Sequence, residues 1–202
     1  MSSRPTSDAQ QLDLLGGASS TPAEVHRLFF ALMPDEVTRN SLSRTADALK
    51  AGHAALRVRW IAPARYHATV HFLGDHPMLR QDVIQGAKAA GDALVASSFD
   101  WSLDLASTFR GREPPLILRG SIVPDALQQL WQNLRERLIR AGQGAQMERT
   151  FTPHVTLGYS RGGMLEPTPV EPVRWRVERL ALIHSVVGQK DYEVLQRWDL
   201  GG

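Results

Sequence analysis

One four-residue pattern occurs twice in the chain, and it combines two side chains that can act on a phosphate. It reads His67-Ala-Thr69-Val and, 87 residues later, His154-Val-Thr156-Leu. An imidazole with a pKa near 6.5 can give or take a proton at neutral pH, and a threonine hydroxyl can donate a hydrogen bond to a phosphoryl oxygen. Composition predicts far fewer than one such tetrad by chance. The repeat therefore indicates a site that cleaves a phosphodiester with one histidine as base and the other as acid.

Both tetrads lie on predicted strands that alternate between apolar and polar residues. The first strand runs from Tyr66 to Leu73 and the second from His154 to Ser160. Side chains two residues apart on a strand share a face, about 7 Å from each other. Each histidine is thus predicted to lie beside its threonine, and in the first strand His71 is predicted to join them. A single tetrad would also fit an ordinary solvent-exposed strand, and only the repetition favours catalysis.

Hydrophobic periodicity predicts a mixed order of strands and helices around these two strands. The other predicted strands are 28–33, 99–105, 116–122, 175–187 and 192–200, and the helical patterns are 42–49, 79–94 and 124–140, with a loop at 161–172. This order favours an α+β fold over an all-parallel sheet. We expect two pseudo-symmetric lobes of antiparallel-rich sheet, with helices outside and the tetrads lining a central cleft.

Length and composition limit the class of protein. The chain has 202 residues, 43% of them hydrophobic, and no cysteine, which excludes disulfides, a thiolate nucleophile and cysteine-based metal centres. No apolar stretch reaches the ~20 residues that span a bilayer, so we expect a cytoplasmic protein without a membrane partner. Residues 1–25 are rich in Ser, Thr, Gln, Gly and Ala and are predicted to be a flexible leader, and residues 26–202 a single bilobal domain.

The charged residues permit a phosphate-bearing ligand without identifying one. The net charge is +2, but arginine supplies 20 of the 23 basic residues. Arginine suits phosphate, although a codon bias explains the excess equally well. Arg110, Arg112 and Arg119 surround a Pro-Pro turn and are candidates for RNA contacts. No carboxylate lies between His67 and His71, so we expect neither a metal nor another cofactor.

The paired tetrads resemble those of the 2H phosphoesterases, in particular the bacterial and archaeal RNA 2′,3′-cyclic phosphodiesterases, formerly called 2′-5′ RNA ligases. The resemblance extends from about Arg27 to Leu200. It rests on Arg27–Leu32 with Pro34, Arg59-Trp60, Phe72-Leu73-Gly74, Phe151, Pro153–Leu157 and the spaced Ser185, Tyr192 and Trp198.

This resemblance implies a bilobal fold and a reaction. An RNA or nucleotide with a 2′,3′-cyclic phosphate end would be hydrolysed to a 2′-phosphomonoester, with ligation of 2′-5′ ends as a possible side activity. By analogy, His67 protonates the leaving 3′ oxygen, His154 activates water, and Thr69 and Thr156 hold the phosphoryl oxygens. Nothing in the sequence decides between this assignment and its reverse. We expect the chain to act as a monomer.

One departure from the family pattern concerns arginine. Many members carry it two residues beyond the last apolar position of the second tetrad, where this chain has Tyr159, and Arg161 could substitute from the following loop. Further candidate substrate contacts are Tyr66, His71, Phe151, Tyr159 and Arg161.

Two alternatives remain open at the level of sequence. The chain could be a module that binds RNA ends without turnover. It could also be a 2H phosphodiesterase for another cyclic phosphate or for 2′-5′-linked nucleotides, because the tetrads contact only the phosphate.

Overall fold

Two antiparallel sheets and three helices make up the part of the chain that the computed structural model describes, residues 24–144 and 147–201. The strands are β1 His26–Leu32, β2 Arg59–Trp60, β3 Ala68–His76, β4 Phe99–Thr108, β5 Pro115–Arg119, β6 Val155–Tyr159, β7 Thr168–Val177, β8 Arg179–Val186 and β9 Glu193–Asp199. The helices are α1 Glu36–Gly52, α2 Gln81–Asp92 and α3 Asp125–Leu138. The first sheet has the order β3-β1-β8-β9 and the second β2-β6-β5-β4-β7. None of these helices is long and apolar enough to cross a membrane.

Helix α1 forms where the sequence predicts it. Asp35 caps its start by accepting a hydrogen bond from the backbone N–H of Thr38 at 2.7 Å. The predicted inner stripe is confirmed, since Leu42, Ala46 and Leu49 are buried. Spacing of three and four residues keeps these side chains on one face of the helix.

The predicted strand 175–187 is wrong as a single element. It divides at Glu178 into β7, which pairs with β4 in the second sheet, and β8, which pairs with β1 in the first. The predicted loop 161–172 is also partly strand. Its prolines suggested a loop, but β7 is an edge strand, where a missing N–H is tolerated.

The two halves of the fold repeat one arrangement. In each half a strand leads into a helix, and the tetrad strand returns antiparallel to that first strand: β1-α1-β3 and β5-α3-β6. The predicted pseudo-symmetric lobes are thus confirmed. The helices of these two units each pack against the opposite sheet, α1 on β7 and α3 on β3. The helices are thus exchanged between the two sheets. This arrangement depends on packing between distant parts of the chain, which local periodicity does not reveal.

A single core joins the lobes. Leu32 of the first sheet, Leu118 of the second, Leu42 of α1 and Leu134 of α3 all belong to one buried cluster. The single domain over residues 26–202 stays a prediction. Residues 1–23 of the predicted leader lie outside the described residues.

Candidate active site

The fold brings the two tetrads together. His67 and His154 lie just before β3 and β6, and Thr69 and Thr156 lie within those strands. All four side chains are partly buried. Strands β3 and β6 contact each other, which places the two tetrads in one region of the molecule.

Both tetrad strands carry a β-bulge at the same place. Val70 in β3 has no partner, because its neighbours Thr69 and His71 pair with consecutive residues of β1. Leu157 in β6 is bypassed in the same way opposite β5. Each is the apolar fourth residue of its tetrad. An extra residue in one strand reverses the faces of the side chains that follow it.

The first bulge overturns the prediction for His71. This side chain lies on the helix side of the sheet, where its Nε2 is 2.9 Å from the carbonyl oxygen of Trp131 and its ring stacks on the indole at 5.4 Å. Burial lowers the pKa of His71 to about 4. Phe72 takes the position on the face of Thr69 that alternation had given to His71. His71 is therefore a core residue.

Two aromatic candidates also belong to the core. The side chain of Tyr66 is only 2% exposed, and burial raises its pKa to about 12. Phe151 stacks on Trp131 at 5.3 Å with nearly parallel rings, and His71 stacks on the same indole. Aromatic residues beside strands pack inward unless a bulge or turn redirects them, and here both pack inward.

Both tetrad histidines are fixed in the same tautomer. The Nδ1 atom of His67 lies 2.8 Å from the carbonyl oxygen of Arg65, and Nδ1 of His154 lies 2.7 Å from that of Thr152. A carbonyl oxygen only accepts, so Nδ1 carries the proton in each neutral ring. The Nε2 atoms remain to exchange a proton with a ligand.

Burial lowers the pKa of both imidazoles, but the charges around them act in opposite senses. The backbone bond to Arg65 partly offsets burial at His67, whereas the positive charges of Arg65 and His154 lower its pKa further. At His154 the bond to Thr152 and the negative charge of Glu148 both favour the protonated ring. The two sites are therefore alike in geometry and unlike in electrostatics.

Aromatic rings that the sequence did not single out enclose the histidines. Phe29 and Tyr192 lie 5.1 and 5.3 Å from His67 between ring centroids. Phe109 meets His154 edge-on at 4.9 Å. Arg65 lies 4.5 Å from the centre of the Tyr192 ring. Only the place of Tyr192 in the hairpin resemblance hinted at such a role.

The remaining candidates lie at the far end of β6. Because of the bulge at Leu157, Tyr159 shares the face of Thr156, and the Arg59 guanidinium lies 4.8 Å from its ring centre. Arg161 follows in the loop, with a side chain 58% exposed and its Nε 4.0 Å from Glu113.

In residues 24–144 and 147–201, no three His, Cys, Asp or Glu side chains are grouped so that they could hold a metal ion. Metal-free chemistry stays a prediction.

Comparison with known proteins gives the family. Residues 38–189 match the model of the 2′-5′ RNA ligase superfamily. The chain belongs to this superfamily. The chain is similar in sequence to the RNA 2′,3′-cyclic phosphodiesterase of Methanothermobacter thermautotrophicus. The two are 28% identical over 143 residues, which cover 67% of this chain and 72% of that protein.

Solved structures agree with this membership of the 2′-5′ RNA ligase superfamily. E. coli LigT complexed with 3′-AMP is 27% identical with a TM-score of 0.69, over 87% of this chain and 98% of that one. The apo form of LigT is 27% identical with a TM-score of 0.68, over 88% and 99%. TT0787 of Thermus thermophilus, at 23% identity and a TM-score of 0.69 over 87% and 98%, shares the fold. The predicted 2H phosphoesterase fold is confirmed.

Proposed function

We propose that this chain hydrolyses RNA-type 2′,3′-cyclic phosphate ends to 2′-phosphomonoesters with His67 and His154 as its acid and base. The observation that carries the proposal is the matched pair of imidazoles, each with Nδ1–H bonded to a carbonyl and Nε2 left to exchange a proton. Support also comes from the relatives, one of which bears the name RNA 2′,3′-cyclic phosphodiesterase, while LigT is described in complex with 3′-AMP.

The proposed reaction moves two protons. His154 Nε2 takes a proton from water, and the water oxygen forms a bond to phosphorus. The bond from phosphorus to O3′ breaks as His67 Nε2 gives its proton to that oxygen, which leaves the phosphate on O2′. Thr69 and Thr156 donate hydrogen bonds to the non-bridging oxygens, where negative charge builds up. Proton exchange with solvent then restores both histidines.

The electrostatic asymmetry supports this assignment over its reverse. Burial lowers the pKa of His67 and the charge of Arg65 lowers it further, which favours transfer of its proton to a leaving alkoxide. Burial also lowers the pKa of His154, but the charge of Glu148 opposes this shift and favours uptake of a proton from water. Acid and base strength in this order lower both proton-transfer barriers.

The test is incubation of the full chain, treated with EDTA, with nucleoside 2′,3′-cyclic phosphates and with a short RNA bearing that end. We expect a 2′-phosphate as the sole product, identified by phosphorus NMR. His67→Ala and His154→Ala should each reduce kcat by about 10²- to 10⁴-fold. His53→Ala, at the end of α1, is the control and should retain the wild-type rate.

Other results would change the conclusion. A 3′-phosphate product would reverse the leaving group, and activity that is lost with EDTA and restored by zinc would contradict the two-histidine mechanism. Tight binding of such ends without hydrolysis would identify a module that binds RNA ends. Hydrolysis of only another cyclic phosphate or of a 2′-5′ linkage would keep the chemistry and change the substrate.

One chain contains both tetrads, so we propose that the single bilobal domain acts as a monomer.

A further inference from the structure

Three exposed arginines gather at the β2 edge of the second sheet. Arg59 Nη2 and Arg161 Nε lie 3.6 and 4.0 Å from the same carboxylate, that of Glu113. Arg57 donates from Nη2 to the carbonyl oxygen of Arg161 at 3.3 Å. We call Arg57, Arg59 and Arg161 the edge arginines. One carboxylate shared between two of three guanidinium groups leaves this edge with excess positive charge.

Arg59 is in line with the proposed phosphate site. Arg59 pairs directly with Tyr159, and directly paired residues share a face of the sheet. The bulge at Leu157 puts Tyr159 on the face of Thr156, one side-chain repeat or about 7 Å further along β6. A charged group and an aromatic ring thus follow the second tetrad on its ligand-facing side.

Gly158 allows this placement. It lies between Leu157 and Tyr159, and a Cβ atom there would come within 2.8 Å of the carbonyl oxygen of Arg59. Only glycine lets β2 approach β6 closely enough to bring Arg59 over the Tyr159 ring.

The first sheet has a matching pair whose charge is already balanced. Arg27 lies 5.7 Å from the centre of the Phe72 ring, but its Nε and Nη2 donate to both oxygens of Asp75 at 2.7 and 2.8 Å. The bidentate partner neutralises this guanidinium. The Arg27–Asp75 pair therefore leaves little net positive charge for an additional anionic group beside Phe72, in contrast to the β2 edge of the second sheet.

We propose that Arg59 and Arg161, with the Tyr159 ring as a stacking surface, form a subsite for the phosphodiester and base that precede the cyclic end. Proteins that bind single strands combine cationic contacts to the backbone with aromatic surfaces for the bases. The preferred substrate is then an RNA strand and not a mononucleotide. This subsite rests on the proposed hydrolase function.

The experiment compares a trinucleotide and a nucleoside, each with a 2′,3′-cyclic phosphate, as a function of salt concentration. In the wild type, kcat/KM for the trinucleotide should fall more steeply with salt, since each contacted phosphate of a single strand adds about 0.7 to the slope of log K against log salt. Arg59→Gln and Arg161→Gln should reduce the trinucleotide-to-nucleoside ratio of kcat/KM by about fivefold and remove that extra slope. Arg174→Gln on β7, the opposite edge of the same sheet, is the matched control.

An unchanged ratio in both edge variants, or an equal change in Arg174→Gln, would overturn the subsite. Fluorescence anisotropy with a labelled trinucleotide 2′-phosphate separates this failure from failure of the proposed function. If the wild type hydrolyses neither substrate but the edge variants still weaken binding and its salt slope, the subsite stands and the hydrolase proposal falls. Arg161→Gln lies in an exposed loop and tests the subsite even if Arg59→Gln does not fold.

Discussion

At the scale of single residues, His67 and His154 are held identically and surrounded differently. The tetrads alone predicted the pair of imidazoles, because side-chain type and spacing carry that information. They did not distinguish the two, because Arg65 acts on His67 and Glu148 on His154 through positions set by the fold. The assignment of acid and base can therefore be argued only from the structure, which shows which charges surround each histidine.

The lowered pKa of both histidines predicts the pH dependence of catalysis. In the free protein, the base loses activity below its pKa and the acid above its pKa, and both values lie below 6.5 because of burial. The profile of kcat/KM should be bell-shaped with its maximum on the acid side of pH 6.5. Steady-state rates from pH 4.5 to 9 measure this, and a plateau that extends into the alkaline range would contradict it.

At the scale of elements, two bulges decide which side chains reach the ligand. Alternation correctly predicted that β3 and β6 are strands with His and Thr on one face. The same alternation gave the wrong face for the residues after Val70 and Leu157. A bulge depends on pairing with a partner strand, and the local sequence does not specify that pairing. Alternation consequently predicted His71 on the face of Thr69, whereas Phe72 lies on that face and His71 on the opposite one.

The position of His71 predicts a loss of stability in acid. Its pKa is about 4 in the folded chain against about 6.5 when unfolded, so the neutral ring stabilises the fold above pH 6.5 and this contribution is lost as the pH falls toward 4. The cost at pH 4.5 is about 2.5 kcal/mol. In His71→Phe, the difference in free energy of unfolding between pH 7.5 and 4.5 should shrink by about that amount, measured with urea.

The matched control for this comparison is His53→Gln, which should retain the wild-type pH dependence. An unaltered pH dependence in His71→Phe would mean that His71 is not the group responsible.

Gly158 predicts that the contact between β2 and β6 is sensitive to a single methyl group. In Gly158→Ala the added Cβ meets the backbone of Arg59, and relief of that overlap should cost about 1–3 kcal/mol of unfolding free energy. Gly52→Ala at the end of α1 is the control, because nothing lies within 4 Å of its added Cβ. Equal thermal midpoints for the two variants would refute the close approach.

At the scale of the whole molecule, helices α1 and α3 each pack on the sheet of the other lobe, so we expect the two lobes to unfold as one cooperative unit. The sequence predicted two similar lobes from the spacing of the tetrads. It did not predict that α1 follows β1 yet packs on β7, or that α3 follows β5 yet packs on β3, because either choice buries the same helical stripe.

This exchange predicts that damage to one helix destabilises both sheets. Leu42→Ala in α1 and Leu134→Ala in α3 remove fully buried side chains, and each should cost about 2–5 kcal/mol. Amide hydrogen exchange should show comparable losses of protection in β1 and in β5. Loss confined to a single sheet would indicate two independent units.

The matched bulges have a consequence for strand polarity. They make the two tetrads nearly equivalent by rotation, whereas an RNA strand has a direction, so a cyclic end could enter the site in either of two orientations. Only one orientation sets the 3′ oxygen beside the proton donor. Under the proposed function, we expect the selection to come from residues that differ between the lobes, such as the balanced pair of Arg27 and Asp75 on one side and the edge arginines on the other. The duplicated tetrads would then supply the acid and the base, and the residues that are not duplicated would set the direction of the RNA strand.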